Sequence, residues 1–106
     1  MEPLVFEDGD VHMRVDHGIF EVFWRNHIIG SYRVPLSWLK VRAETRKADL
    51  TRLHFGSVKE LDEPLYASTA SSRRMWATVD IPTTDEPRYR AFLTRLADLS
   101  DRPVAS

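Results

Sequence analysis

The chain has 106 residues, 42% of them apolar and 10% aromatic, with no cysteine, and 15 basic residues against 16 acidic ones give a net charge of −1. One domain of common size follows, and the lack of cysteine excludes disulfides and thiolate metal sites. A balanced charge supplies no long-range field toward nucleic acid or an anionic bilayer. No run reaches the roughly 20 apolar residues of a membrane span, and the acidic start MEPLVFEDGD reads as no secretory leader, so a cytoplasmic protein is expected.

Residues 1–10 mix Pro3, Glu7, Asp8, Gly9 and Asp10 around Leu4-Val5-Phe6 and are expected to be an irregular lead-in. From Val11 the pattern has period two: Val11, Met13 and Val15 alternate with His12, Arg14 and Asp16, as in a half-buried strand. Asp16-His17-Gly18 is a tight turn with Gly18 free to take positive φ. Ile19 to Arg25 is β-branched and aromatic. Both of its faces carry large apolar groups, which predicts cover on both sides for part of its length. Arg25-Asn26-His27 turns the chain into a strand from Ile28 to Val34, where Gly30 marks a bulge or bend.

Pro35 removes a ladder donor, and Leu36-Ser37-Trp38-Leu39 reads as one helical or irregular turn. Val41 to Glu44 is extended, Thr45 to Asp49 a polar loop, and Thr51 to Val58 a strand with Leu53 and Phe55 inward against Arg52 and His54. Glu60 to Pro64 is a charged turn, Leu65-Tyr66-Ala67 a short strand, Ser68 to Arg74 a polar loop, and Met75 to Ile81 the last strand, stopped by Pro82. The period then changes. Thr84 or Asp85 caps a helix, with Glu86 and Pro87 suited to its first turn. Tyr89, Phe92, Leu93, Leu96 and Leu99 form one apolar stripe, and Arg88, Arg90, Arg95 and Asp98 take the wet side. Residues 100–106 are expected to be a frayed tail. The fold class is mainly β with one C-terminal α-helix: about seven antiparallel strands in a curled sheet or split barrel, capped by the helix.

That order of elements resembles the pleckstrin-homology-like fold, with two orthogonal antiparallel sheets of four and three strands and a closing helix. Ser31-Tyr32-Arg33-Val34-Pro35-Leu36-Ser37-Trp38-Leu39-Lys40-Val41 is similar to a segment of bacterial pleckstrin-homology-like and GRAM-type domains, where an apolar residue and Pro or Trp precede a turn and a strand. The resemblance covers Val11 to Leu99 and implies one such domain. The lipid-binding members place a basic motif on the first two strands and their loop. Here that region holds Arg14, Asp16-His17-Gly18, Glu21 and Arg25, so the phosphoinositide pocket does not carry over.

No catalytic set stands out. His12, His17, His27 and His54 have no metal-ligand spacing and read as solvated surface histidines. No Ser lies in a Gly-x-Ser-x-Gly turn, Ser68, Ser71 and Ser72 fit a polar loop, and the adjacent acids Asp62-Glu63 and Asp85-Glu86 suit solvation and the helix dipole. No cofactor is expected. Lys40, Arg42, Arg46, Lys47 and Arg52 could gather, with Lys40, Arg42 and Arg52 on one solvent face, although interspersed acids make mixed surface charge the plainer reading. Arg73-Arg74 adds a second basic spot. Trp24 alternates with core residues and reads as buried. Trp76 reads as inside or at an edge. Trp38 reads either as an exposed anchor for a partner or as the plug of a barrel corner. The expected function is a non-catalytic module that binds a protein or itself. Attachment to an anionic membrane or phosphate-bearing ligand through the Lys40 to Arg52 patch is the second reading, and a small enzyme using His and Asp the third.

Overall fold

Alternation of large apolar residues with polar ones commits each strand to one inward face, and that face dictates how the chain folds back on itself. The computed structural model describes residues 3–25, 29–60, 62–69 and 77–105. Among these, the order is β1 (Leu4–Asp8), β2 (Val11–Asp16), β3 (Ile19–Arg25), β4 (Ile29–Pro35), β5 (Leu39–Lys47), β6 (Leu50–Ser57), β7 (Tyr66–Thr69), β8 (Ala77–Pro82) and α1 (Glu86–Leu99). Short 3-10 turns at Leu36–Trp38 and Thr83–Asp85 lead into β5 and α1.

The first sheet runs β1-β2-β3-β4 as an antiparallel meander, and the second runs β7-β5-β6-β8. The chain is therefore mainly β with a C-terminal helix, but the single curled sheet or split barrel of about seven antiparallel strands is corrected. Among the described residues, eight strands form two sheets, neither closed on itself, and β7 pairs parallel with β5. The parallel pair follows from where β6 ends. Ser57 lies opposite Leu39, at the start of β5, so a strand placed on the far side of β5 from that end must run alongside it. Leu4-Val5-Phe6, expected to be irregular, is paired: Leu4 faces Val15 and Phe6 faces Met13 in register. Five residues flanked by Pro3 and Gly9 are too few for the period to be read locally.

The two-residue loop His17-Gly18 holds both residues at positive φ, 53° and 77°, as a type I′ hairpin turn demands. At Gly30 the β3–β4 register runs without a shift, Trp24 opposite Gly30, so the expected bulge or bend is corrected to a regular pair. The bulge lies instead between Thr45 and Lys47.

The inward faces of both sheets meet in one core. Val11, Met13, Phe20, Val22 and Val34 of the first sheet pack with Leu39, Val41, Leu53, Phe55, Val79 and Ile81 of the second. Phe20 and Phe55 stack at 6.0 Å between ring centres. Trp24 is only half-buried against this core. On the outer face of β3, Ile19 and Glu21 are half-buried and Phe23 is exposed, so cover on that side does not extend to Phe23. The helix inserts Tyr89, Leu93, Leu96 and Ala97. Phe92 is partly buried, while Leu99, the last residue of the helix, is exposed.

Two tyrosine–carboxylate–arginine sets tie α1 to the sheets. Tyr66 of β7 donates to Glu86, which Arg90 also contacts at 2.7 Å. Tyr89 donates to Asp8 of β1 at 2.8 Å, and Arg88 pairs with the same carboxyl at 2.9 Å. The Arg88 guanidinium also lies 5.5 Å from the Phe6 ring centre and donates to the Glu7 carbonyl, blunting the β1 edge.

The expected frayed tail is corrected as well. Leu65 N–H donates to Pro103 O and Ala105 N–H to Tyr66 O, both at 2.9 Å, which covers the outer edge of β7. Arg102, just before them, is only 9% exposed. Its carbonyl partners come from distant parts of the chain, so nothing local in residues 100–106 announces the anchoring.

Candidate interaction surface

The 3-10 turn Leu36–Trp38 begins where Pro35 has ended β4, and Leu39 re-enters extended backbone at φ −60°, ψ 138°. Within the turn the side chains divide. Leu36 points inward and is buried, whereas Trp38 is 53% exposed. Leu36 N–H donates to Gly18 O at 2.8 Å, and Val58 N–H donates to Trp38 O at 2.8 Å, so the turn is held from two sides and the indole projects from a fixed base. Of the two readings of Trp38, its exposure sets aside the plug of a barrel corner.

Behind the turn lies an open apolar cavity of about 300 Å³. Leu4, Val15, Gly18, Leu36 and Leu99 line it, with Asp16 and His17 at its polar side. Leu36 thus belongs to both features.

The basic residues do not form one patch. Lys40 and Arg42 point outward from β5 and meet at Glu63: Lys40 Nζ lies 3.3 Å and Arg42 Nη2 3.9 Å from the same carboxylate oxygen. Arg42 also donates to Val41 O at 2.9 Å and Pro64 O at 3.0 Å. Arg52 sits across the sheet, bound through two bonds to Asp80 of β8 at 2.7 and 3.2 Å, and Asp80 holds its guanidinium above the ordinary range. Arg46 leans on Glu44 at 3.5 Å. Lys47 lies beyond the bulge, exposed, opposite Leu50. Lys40, Arg42 and Arg52 do lie on one face of the second sheet, Arg52 opposite Glu44 in register, but their ion pairs form two separate groups, one at Glu63 and one at Asp80. Acids distant in sequence supply the partners, which alternation does not reveal.

Two residues that sequence reasoning left in solvent are buried. Glu44 and His54 alternate outward on β5 and β6, yet they are 5% and 4% exposed. Glu44 Oε1 and His54 Nε2 are 3.0 Å apart, while His54 Nδ1 is buried without a hydrogen-bond partner. This corrects the solvated reading for His54. His12 lies 3.3 Å from Glu7, and His17 lies 2.9 Å from Asp16 with its side chain 92% exposed. His27, Ser71, Ser72, Arg73, Arg74 and Trp76 lie outside the described residues. Among the described residues, no group of three or more His, Asp or Glu could hold a metal ion, and no helix is long and apolar enough to cross a membrane.

Arg102 was also missed. Its guanidinium donates to Leu39 O, to Leu36 O at 3.4 Å and to Glu63 O at 3.1 Å. It therefore clasps the Trp38 turn on one side and the β6–β7 connection on the other. Burial, and then the nearby Arg42, pull its pKa down. Comparison with protein families, with curated proteins and with solved structures gave no match.

Proposed function

We propose that the chain is a non-catalytic interaction module of pleckstrin-homology-like fold that binds a protein partner, or a second copy of itself, through the corner built on Trp38. The observation that carries the reading is an indole 53% exposed on a turn held at both ends. An aromatic fixed in that way offers a large contact area at little cost in side-chain entropy, the property of an interface hot spot. The second sheet has four strands rather than the three of the family pattern. The resemblance therefore leans on the four-stranded meander, the segment from Ser31 to Val41 and the closing helix.

Charge supports a protein partner over an anionic bilayer. Arg46 and Arg52 each have an acid of the same chain within 4 Å, and Lys40 and Arg42 share Glu63. The cations are thus divided among local ion pairs rather than gathered in the continuous basic patch that collects lipid headgroups.

A photo-crosslinking amino acid at position 38 tests the proposal in cells. A discrete adduct, either with one protein or with the chain itself, is expected. With that partner purified, Trp38→Ala should weaken binding at least tenfold, about 1.4 kcal/mol, at an unchanged urea midpoint. No adduct at position 38, or unchanged affinity in the variant, would refute it.

A further inference from the structure

Around Glu63 positive charge exceeds negative charge. Lys40 and Arg42 share its carboxylate, and Arg102 donates to its backbone carbonyl. Among the described residues, Glu63 is the only carboxylate in ion-pair contact with these cations. Arg42 and Arg102 are largely buried. Arg42 donates to Pro64 O besides its 3.9 Å contact with Glu63. Arg102 is held on the carbonyls of Leu36, Leu39 and Glu63 and, among the described residues, has no acid in ion-pair contact. Arg102 Nε has no hydrogen-bond partner. A buried guanidinium without a carboxylate is a costly arrangement that a further anion would relieve. Arg42 and Arg102 each have a pKa held below the ordinary arginine range, first by burial, and in Arg102 also by the neighbouring Arg42.

The open side of this cluster is chemically suited to an oxyanion. The Lys40 side chain is partly exposed. The Glu63 carboxylate is held by Lys40 at 3.3 Å, by Arg42 at 3.9 Å, which is long for a hydrogen bond, and by backbone hydrogen bonds at Lys59 and Glu60. A group with two or three acceptor oxygens could engage both cations where a single carboxylate oxygen of Glu63 now does. We propose that Lys40, Arg42 and Arg102 form an oxyanion subsite in which Glu63 is the resident, displaceable carboxylate. Its ligand is a carboxylate or phosphate group. The two arginines set the positive field, and Lys40 with Arg42 makes the contacts. The subsite lies beside the Trp38 turn but does not depend on the Trp38 reading.

The test uses the full chain, isotope-labelled for NMR and titrated separately with inorganic phosphate and with acetate, chloride keeping ionic strength constant. Saturable shifts at residues 40–42 and 63–65 are expected for at least one anion. Saturation with phosphate alone assigns a phosphate-bearing ligand, and saturation with acetate assigns a carboxylate. Glu63→Gln should tighten binding at least threefold, because it removes the competing carboxylate and leaves the cations. Lys40→Met should weaken it at least fivefold without touching the arginine contacts that hold the loop. Linear, unsaturated shifts with both anions overturn the proposal. So does saturable binding that neither variant changes. Because no partner enters the experiment, its failure leaves the Trp38 proposal standing.

Discussion

Trp24 lies across Gly30. The two face each other in the β3–β4 pair, and a Cβ built on Gly30 would fall 2.3 Å from Trp24 Cζ2 and 2.5 Å from Cε2. The glycine is required by the indole above it, since its backbone is not in the left-handed region.

Gly30→Ala should therefore destabilise the chain. Alanine gains about 0.5–1 kcal/mol over glycine in a strand, but here the methyl must displace a half-buried indole, a clash costing about 1–3 kcal/mol. A net loss of up to about 2.5 kcal/mol is expected from urea unfolding. The tryptophan emission should also shift to the red as the ring is pushed toward solvent. An unchanged midpoint and spectrum would show that the ring does not pack on Gly30.

The helix anchors predict an alkaline limit. Burial, and then the adjacent carboxylate, raise the phenol pKa of Tyr66 beside Glu86 and of Tyr89 beside Asp8. In the unfolded chain tyrosine titrates near 10. The folded state thus holds these protons more tightly, and the stability they contribute is complete below about pH 10 and is lost as pH rises through the folded values. Urea midpoints measured from pH 8 to 11.5 should fall above about pH 10. The double variant Tyr66→Phe/Tyr89→Phe should be less stable at pH 8 and fall less steeply. A residual slope remains from Tyr32, whose pKa burial also raises. Equal slopes in both proteins would place the alkaline transition elsewhere.

Arg102→Met keeps most of the side-chain volume but leaves the carbonyls of Leu36, Leu39 and Glu63 without this donor. The expected cost is about 2–3 kcal/mol in urea unfolding, the range for stranding buried hydrogen-bonding groups. Arg102→Lys should not restore it, since one ammonium lacks the planar fork that spans two segments. Wild-type stability in Arg102→Met would return the tail to a passive role.

Much of the scaffold was legible because its signals are local. Period two over Val11 to Val15 and Thr51 to Phe55, Gly18 in a two-residue loop and the 3.6 period of Tyr89, Leu93 and Leu96 report a half-buried strand, a turn and a helix face wherever they occur. Trp38 could be singled out for the same reason, since Pro35 and the broken alternation after it put it in a turn. Its exposure could not be read, because whether an aromatic in a turn faces the core depends on what the turn rests on. Here that support comes from Gly18 and Val58.

The amino-acid sequence by itself determined the mainly β character, the closing helix, most strand positions and the absence of thiol and disulfide chemistry. These follow from composition and from periods a few residues long. Only the tertiary structure decided that β7 runs parallel to β5, that Arg52 is bound to Asp80 and Lys40 to Glu63, that Glu44 and His54 are buried, and that Arg102 clasps the Trp38 turn. The physical reason is distance along the chain. Arg52 meets a partner 28 residues away and Arg102 one 63 residues away, and the burial of a charge depends on whichever segment arrives beside it, which no local period encodes.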